Sequence, residues 1–262
     1  MRLIDLHTHV FPDAVAGAAL RTLEEMAGVR PSFDGTYAGL LEALDRAGVE
    51  RAAVQPVAVK ASQVAGINDW VAGLDRSRVV PFGAMHPDLD EPATEIARMA
   101  GMGLVGFKLH PEFQAFSPDE PRLDAIYEPA VAHGLAIFYH AGKDIAVPTY
   151  RGTPASFARV LARHPGLTMI LGHLGGWGVW DEVRAELVGR RVYFDTAFTL
   201  GRLPAADFVD LIRRHGPERV VFGSDAPWAD MAGAAEKVAG SGLDDDELAA
   251  VFSGNAARLL GL

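Results

Sequence analysis

Short apolar runs alternate with amphipathic stretches along the whole chain. About eight runs, rich in Val, Ile, Leu and Phe, have the length of buried strands. We place them near residues 2–7, 51–57, 79–84, 103–109, 135–140, 168–173, 191–196 and 219–224. Between the runs, apolar residues recur at helical spacing, as in Leu40, Leu41 and Leu44. The pattern predicts strands and helices that alternate from end to end.

Turn and cap residues agree with this alternation. Thr153 followed by Pro154 is typical of a helix start, with proline at the first helical position. Three glycines lie between a predicted helix and the next strand, where a left-handed C-terminal cap is expected: Gly48, Gly134 and Gly216.

The strand runs are almost continuously apolar, which is typical of a parallel sheet covered by helices. Two architectures fit, a closed (β/α)₈ barrel and an open doubly wound sheet. The chain lacks the glycine-rich phosphate loops that are usual in nucleotide-binding open sheets. Histidine and aspartate residues that could serve in a metal or catalytic site also follow the first and eighth runs, and only a closed barrel brings these two runs side by side. We therefore predict an α/β protein with one domain over residues 1–262, a (β/α)₈ TIM barrel. Residues 10–47 form an enlarged first crossover, and residues 243–262 form a C-terminal helical closure.

Composition narrows the class of protein. The chain has 262 residues, 49% of them apolar, which suits a single barrel of this kind. A net charge of -10 argues against nucleic-acid and anionic-membrane partners. The absence of cysteine excludes disulfides and thiolate metal sites, and favours a cytoplasmic location. We expect no signal peptide, because charged and histidine residues interrupt the first ten positions, and no apolar run reaches the roughly 20 residues of a membrane span.

Histidines and one aspartate follow several of the predicted strands. His7 and His9 are two residues apart on the first strand, so their side chains share a face. His140, His173 and Asp225 each end a later apolar run. Each of these residues taken singly is as well explained by packing or turn formation. Together they lie where barrel enzymes keep their active sites, and nitrogen and oxygen ligands of this kind suit a zinc-type ion.

The motifs around these residues resemble those of a known family. The segments HTH, HAG, GHLGG, GSDAPW and GNAARLL are similar to those of the amidohydrolase superfamily, in particular the branch that contains aminocarboxymuconate semialdehyde decarboxylase and related metal-dependent hydrolases. The likeness extends over essentially the whole chain. It implies a (β/α)₈ barrel with a divalent metal, most simply one or two Zn²⁺ ions, held by His7, His9, His140 and Asp225. It also implies that His173 is an acid/base group or a ligand of a second metal.

Lys108 ends the fourth run, GFKL. Superfamily members with two metals often carry a glutamate or a carboxylated lysine on this strand, which bridges the ions. A lysine buried among cations loses its proton easily, and carboxylation would then make it a bridging anion. Alternatively, a free Lys108 binds a substrate carboxylate, or its side chain extends to solvent. We favour a carboxylated Lys108 as a metal ligand.

Other residues are candidates for binding the substrate. His110 follows the fourth strand, and two tryptophans follow metal-ligand candidates closely, although such aromatics also serve simply in packing: Trp177 and Trp228. Basic loop residues in an otherwise acidic chain suggest a small carboxylate-bearing substrate, unless they are only solvated surface charges: Lys60, Lys143 and Arg151.

These observations favour a metal-dependent hydrolase that acts on an amide, lactone or ester bond through a metal-activated water. Asp225 takes the proton from that water, and His173 stabilises the developing oxyanion if it is not a second-metal ligand. The alternatives are a non-oxidative decarboxylase of an unsaturated or aromatic acid, a phosphoesterase with less support, and a non-catalytic, metal-stabilised barrel that binds a ligand. The expected partner is a small molecule, with a homodimer as a further expectation.

Overall fold

Eight parallel strands form one sheet in chain order in the computed structural model, which describes residues 2–262. Each strand is hydrogen-bonded to the next one in the chain, so the order of strands in the sheet is the order of the sequence, from β1 to β8. The strands are β1 (Ile4–Thr8), β2 (Arg51–Val54), β3 (Val79–Ala84), β4 (Gly106–Leu109), β5 (Ala136–Tyr139), β6 (Met169–Leu171), β7 (Tyr193–Asp195) and β8 (Val220–Val221).

Backbone hydrogen bonds join β1 to the segment after β8. Leu6 N–H donates to Phe222 O at 2.9 Å, and Asp225 N–H donates to His7 O at 2.8 Å. The first and last strands are therefore neighbours, and the predicted (β/α)₈ barrel is confirmed. The strand predicted over 219–224 is shorter than expected, because the next two backbone N–H groups bond outside the ladder: Phe222 N–H donates to Val251 O at 2.8 Å and Gly223 N–H donates to Thr196 Oγ at 3.1 Å.

Eleven α-helices are described within residues 2–262: α1 (Asp13–Ala27), α2 (Tyr37–Ala47), α3 (Val64–Ala72), α4 (Pro92–Gly101), α5 (Asp124–His133), α6 (Pro154–Arg163), α7 (Trp180–Glu186), α8 (Ala205–His215), α9 (Met231–Ala239), α10 (Asp245–Ala249) and α11 (Asn255–Leu260). Short 3₁₀ turns lie at 61–63, 121–123 and 217–219, and a π-helical turn at 250–254 joins α10 to α11. No helix in the described part of the chain has the length and apolar character needed to cross a bilayer.

The predicted caps are found at three of four positions. Thr153 Oγ accepts a hydrogen bond from Ser156 N–H at the start of α6. Gly48 and Gly134 have the left-handed conformation that ends α2 and α5. The prediction is wrong for Gly216, whose φ of 107° and ψ of 108° lie outside that region. The ring of the following residue, Pro217, disfavours a helical ψ in the residue before it, which accounts for the difference.

The two unusual segments predicted from the sequence are both helical. The first crossover contains α1 and α2 where a standard unit has one helix. At the other end of the chain, Asn255 Nδ2 donates to Val220 O at 2.6 Å and Phe222 N–H donates to Val251 O at 2.8 Å. Ala256 of α11 belongs to the cluster of apolar side chains that fills the barrel interior. The C-terminal helices therefore pack on the barrel and contribute to its core.

His215 links the end of α8 to the barrel wall. Its ring stacks on Phe194 of β7 with centroids 3.9 Å apart. Nε2 donates to Val192 O at 2.9 Å, and Gly189 N–H donates to Nδ1 at 3.3 Å. The side chain is fully buried, and this burial lowers the pKa of His215 to about 4. The ring is therefore neutral near pH 7, which its hydrogen bonds require.

Candidate metal centre

The five residues proposed as metal ligands from their positions after strands lie at one end of the barrel. His7 belongs to β1, and the others follow the carboxyl ends of their strands. All five line a single cavity of about 750 Å³: His7, His9, His140, His173 and Asp225. One ligand atom each of His7, His173 and Asp225 lie within 4.8 Å of one another. The structure thus brings together residues that are widely separated in the sequence.

In three of the four histidine rings, Nδ1 is hydrogen-bonded to a protein oxygen. In each case Nδ1 faces an oxygen that accepts a hydrogen bond: His7 faces Asp195 Oδ2 at 2.6 Å, His9 faces Gln55 O at 2.8 Å, and His173 faces Ala197 O at 3.0 Å. A carbonyl or carboxylate oxygen cannot donate, so Nδ1 carries the proton of each neutral ring. Nε2 then presents its lone pair to the cavity, which is the tautomer that binds metals.

His140 is held in the opposite sense. Its Nε2 donates to Lys143 O at 3.1 Å, which leaves the lone pair on Nδ1. That nitrogen lies 3.1 Å from His173 Nε2, also a lone-pair atom. Two lone pairs at hydrogen-bond distance have no proton to share and repel each other. A cation bound between these nitrogens would turn the repulsion into attraction.

The carboxylate of Asp225 meets the other two rings in a similar way. Asp225 Oδ1 lies 3.2 Å from His9 Nε2 and 3.5 Å from His7 Nε2. With neutral rings, these contacts also join acceptors to an acceptor. Four nitrogen lone pairs and a carboxylate oxygen therefore converge on the cavity floor. This donor set fits the predicted divalent ion, since imidazole and carboxylate ligands suit zinc and similar metals.

Burial keeps at least two of these rings neutral. Desolvation lowers the pKa of His7 well below its ordinary value, and the nearby charge of Lys108 lowers it further. Desolvation also lowers the pKa of His140, with contributions from the neighbouring histidines. Neutral imidazole is the form that coordinates a metal, so the surroundings favour binding near pH 7.

Two of the predicted ligands that line the cavity have an unusual backbone conformation. His173 and Asp225 have φ values of 60° and 70°, which non-glycine residues seldom adopt. At His173 the strain is offset by a hydrogen bond from its backbone N–H to Asp195 Oδ1 at 2.7 Å. Such conformations cost on the order of 1–3 kcal/mol and are concentrated at functional sites.

Lys108 is buried beside the predicted ligands. Its side chain is only 1% exposed, so the alternative in which it extends to solvent is wrong. Nζ lies 3.1 Å from His7 Nε2 and 4.3 Å from the centre of the Phe138 ring. Burial lowers the pKa of Lys108 to about 8, although the carboxylates of Asp195 and Asp225 oppose the shift. A fraction of the side chain is therefore an uncharged amine at neutral pH, as carboxylation requires.

A second group of metal-binding residue types lies next to the first, formed by His110, His140 and Asp144. Phe113 N–H donates to His110 Nδ1 at 3.3 Å, so the proton of the neutral ring is on Nε2. That nitrogen lies 3.4 Å from Asp144 Oδ2, and the protonated Nε2 of His140 lies 3.6 Å from the same oxygen. Here N–H groups face the carboxylate. The group is satisfied without a cation, unlike the lone-pair cluster beside it.

The candidates for substrate binding also surround the cavity. Its lining includes His110, Trp177, Trp228 and, of the basic loop residues, Lys143. The ring of His110 stacks on that of His140 with centroids 4.3 Å apart. Lys60 and Arg151 are outside the lining in the part of the chain that the structure describes. The basic surroundings expected from the sequence are thus reduced to one loop lysine and the buried Lys108.

The structure adds residues that sequence reasoning missed. Asp195 ends β7 and accepts hydrogen bonds from the His7 ring and from the backbone of His173 and Ala197. Its position after the apolar run VYF is the same signal that identified the other residues. Gln55 also carries this signal, since it directly follows β2 within the run predicted over 51–57. Asp144 lies in a loop, where the sequence pattern gives no such signal.

Comparisons with known proteins show the same barrel fold in other chains. Three similar solved structures each align with nearly the whole chain. The 5-carboxyvanillate decarboxylase of Sphingomonas paucimobilis is 20% identical over 100% of this chain and 99% of its own, with a TM-score of 0.76. A dihydroxybenzoic acid decarboxylase of Polaromonas sp. JS666 with bound manganese is 17% identical over 100% and 97%, with a TM-score of 0.77. A candidate 2-pyrone-4,6-dicarboxylic acid hydrolase of Pseudomonas putida is 18% identical over 99% and 97%, with a TM-score of 0.71.

At these identities the structural likeness supports the barrel fold and leaves the reaction open. No protein with a curated description is significantly similar in sequence. The sequence profile described as amidohydrolase, however, matches residues 4–262. This match confirms the resemblance seen in the motifs. The chain belongs to the amidohydrolase family.

Proposed function

We propose that this protein is a metal-dependent hydrolase that cleaves an amide, lactone or ester bond of a small molecule. The observation that carries the proposal is the convergence of nitrogen lone pairs and the Asp225 carboxylate on the floor of one cavity. Lys108 Nζ lies 3.1 Å from His7 Nε2 and supplies a donor there, but the 3.1 Å contact between His140 Nδ1 and His173 Nε2 joins two lone-pair atoms with no proton between them. Membership of the amidohydrolase family and the manganese in a similar structure support metal dependence.

His7, His9, His140 and Asp225 would hold the ion, with His173 beside it. When bound, a divalent ion there would supply Lewis acidity that polarises a carbonyl group and lowers the pKa of a water molecule to about 7. Asp225, whose side chain is 13% exposed and lines the cavity, takes the proton of the attacking water and passes it to the leaving group. Asp195 acts through His7, because its hydrogen bond keeps the proton on Nδ1 and the lone pair towards the cavity.

Lys108 would contribute to the site both as a carboxylated side chain and as a free ammonium group. As a carboxylated side chain it would contribute the negative charge needed to hold a second ion among the histidines. As an ammonium group it would bind a carboxylate of the substrate at the cavity floor. A pKa of about 8 places both forms within reach near neutral pH.

Decarboxylation of an aromatic or unsaturated acid is the second candidate. Lys108 favours it, because a buried cation 3.1 Å from His7 Nε2 offers a site for the carboxylate that is to be lost. Two of the similar structures are decarboxylases of aromatic acids by name. In this reaction Asp225 or His173 would deliver the proton to the carbon that loses carbon dioxide. Zn²⁺ as the ion, the cytoplasmic location and a homodimer stay predictions of the sequence.

The test compares metal-loaded and metal-free protein on a panel of esters, lactones, amides and aromatic acids. For a hydrolase we expect a product that takes up ¹⁸O from labelled water, lost on chelation and restored by Zn²⁺ or Mn²⁺. An Asp225→Asn variant should bind the ion more weakly and turn over roughly 100-fold more slowly or worse.

Other outcomes separate the alternatives. Undiminished turnover by fully metal-free protein contradicts the proposal. Release of carbon dioxide without ¹⁸O uptake indicates the decarboxylase. Binding of panel compounds with no product indicates the non-catalytic barrel that the sequence left open.

A further inference from the structure

Helix α1 has two apolar faces, and only one of them packs on the protein. Ala16 and Leu20 are its buried residues. A second row of small and apolar residues recurs at helical spacing and lines the cavity: Val15, Ala18, Ala19, Thr22 and Leu23. Val15 is 49% exposed, so packing within the chain does not account for this second face.

A second part of the cavity lining is also uncharged. It is formed by the loop after β2 and by the solvent side of α3: Val57, Val59, Ser62, Gln63, Gly66, Ile67 and Trp70. Val59 at its edge is 50% exposed. The charged side chains of the cavity lie elsewhere, on the floor and on the loop after β5: Lys108, Lys143, Asp144 and Asp225. We call the space between α1 and α3 the apolar cleft.

The cleft begins at the metal-ligand candidates and opens to solvent. Its residues share one cavity with His7 and His9, and the volume of about 750 Å³ falls within the roughly 300–1,000 Å³ usual for sites that bind small organic molecules. Exposed apolar walls are costly in water unless something covers them. A ligand in the cleft therefore covers these walls while one end of it lies near the floor of the cavity.

We propose that the substrate carries an alkyl or aryl group that occupies the apolar cleft, and that α1 and α3 determine specificity for its length. The inference rests on the proposed function for the place of the reacting bond, at the floor. It differs from the expectation of a substrate recognised mainly by basic loops, because the walls that extend away from the floor carry no charge. The polar part of the substrate faces the histidines, and its apolar part lies in the cleft.

The test measures binding, so it does not depend on turnover. Metal-loaded protein is titrated calorimetrically with acetate, butyrate, hexanoate and octanoate. Burial of each methylene group is worth a factor of about 4 in affinity, so octanoate should bind on the order of 100-fold more tightly than butyrate. Equal affinity across the series overturns the proposal.

Two glycines provide a matched pair of variants. Gly66 in α3 lines the cleft, and an added Cβ there meets nothing within 4 Å. Gly101 in α4 also has open space around an added Cβ, but it lies outside the cavity lining. Gly66→Leu should bind octanoate roughly 10-fold more weakly while binding acetate within about twofold of wild type. Gly101→Leu should match wild type for both.

The variants keep the result interpretable. Both replace a helical glycine by a better helix former, so neither is expected to lose stability, and thermal unfolding checks this. Wild-type octanoate affinity in Gly66→Leu overturns the assignment of the cleft. If affinity rises with chain length but the corresponding esters and amides are not hydrolysed, the cleft is supported and the proposed reaction is contradicted. If they are hydrolysed but affinity does not depend on chain length, the proposed reaction is supported and the cleft is contradicted.

Discussion

Replacement of Asp195 by asparagine should switch the tautomer of His7. Asp195 Oδ1 accepts the backbone N–H groups of His173 and Ala197 at 2.7 and 2.9 Å, and an asparagine oxygen keeps both bonds. The amide nitrogen must then occupy the position of Oδ2, which lies 2.6 Å from His7 Nδ1. An N–H donor there requires the lone pair on Nδ1, so the proton moves to Nε2. His7 would then present a proton to the cavity in place of a lone pair.

The expected loss of metal affinity follows from this exchange. To bind the ion, His7 must return to the other tautomer and break its hydrogen bond to the introduced amide. Loss of an orienting partner of this kind typically costs roughly 10–100-fold in metal affinity, or about 1.4–2.7 kcal/mol. We expect Asp195→Asn to lie in this range while retaining the fold, because the two backbone bonds are kept.

Calorimetric titration of metal-free protein with Zn²⁺ and Mn²⁺ measures the effect. Asp124→Asn is the matched control, since Asp124 Oδ1 lies 2.7 Å from His164 Nε2 and both residues lie outside the cavity lining. It should change the affinity by less than about threefold, because it orients no metal-ligand candidate. The reasoning is refuted if Asp195→Asn binds the ion as wild type does, or if Asp124→Asn weakens binding equally.

Two further predictions concern the barrel itself. In Gly223→Ala the new Cβ would lie 2.8 Å from His7 Cβ, so His7 must move; we expect weaker metal binding and a loss of roughly 1–3 kcal/mol in unfolding free energy by urea denaturation. His215 has a folded pKa of about 4 against 6.5 when unfolded. The contribution of the neutral His215 ring to the free energy of unfolding is complete above pH 6.5, and it declines by up to about 3 kcal/mol as the pH falls towards 4. The free energy of unfolding, measured in urea, should therefore fall less between about pH 7 and pH 5 in His215→Gln than in the wild type. The same dependence on pH in both proteins would contradict this role of His215.

Much of the fold was predictable because the apolar pattern is strong. Eight continuous apolar runs separated by amphipathic stretches have few solutions, and the requirement that the first and eighth runs be neighbours selects the closed barrel. Strand ends were less predictable. The eighth run stays apolar through Phe222, yet β8 ends at Val221, because Phe222 N–H donates to Val251 O and Gly223 N–H donates to the Thr196 side chain in place of the β7 backbone. Tertiary contacts decide such ends, and they are not visible in local periodicity.

The candidate site was predictable to the extent that residues follow strands. Asp195 carries the same signal as Asp225 and could have been identified from it. Asp144 could not, since it lies in an irregular loop and reaches His110 only in the folded chain. The second apolar face of α1 could not be predicted from the sequence for another reason. Ala16, Ala18 and Ala19 are equally apolar in the sequence, and the structure alone shows which of them packs and which lines the cavity.

The orientation of His140 connects the metal centre with the loop after β5, which lines another part of the cavity. Its Nδ1 belongs to the lone-pair cluster, and its Nε2 is held by Lys143 O in the loop after β5. The same loop places Ile145 and Ala146 in the lining of the cavity. A ligand that fills the cavity beyond the cleft therefore contacts the segment that fixes the tautomer and direction of one metal-ligand candidate. We expect such contacts and the orientation of that ring to be energetically coupled, because both depend on the position of a single loop backbone.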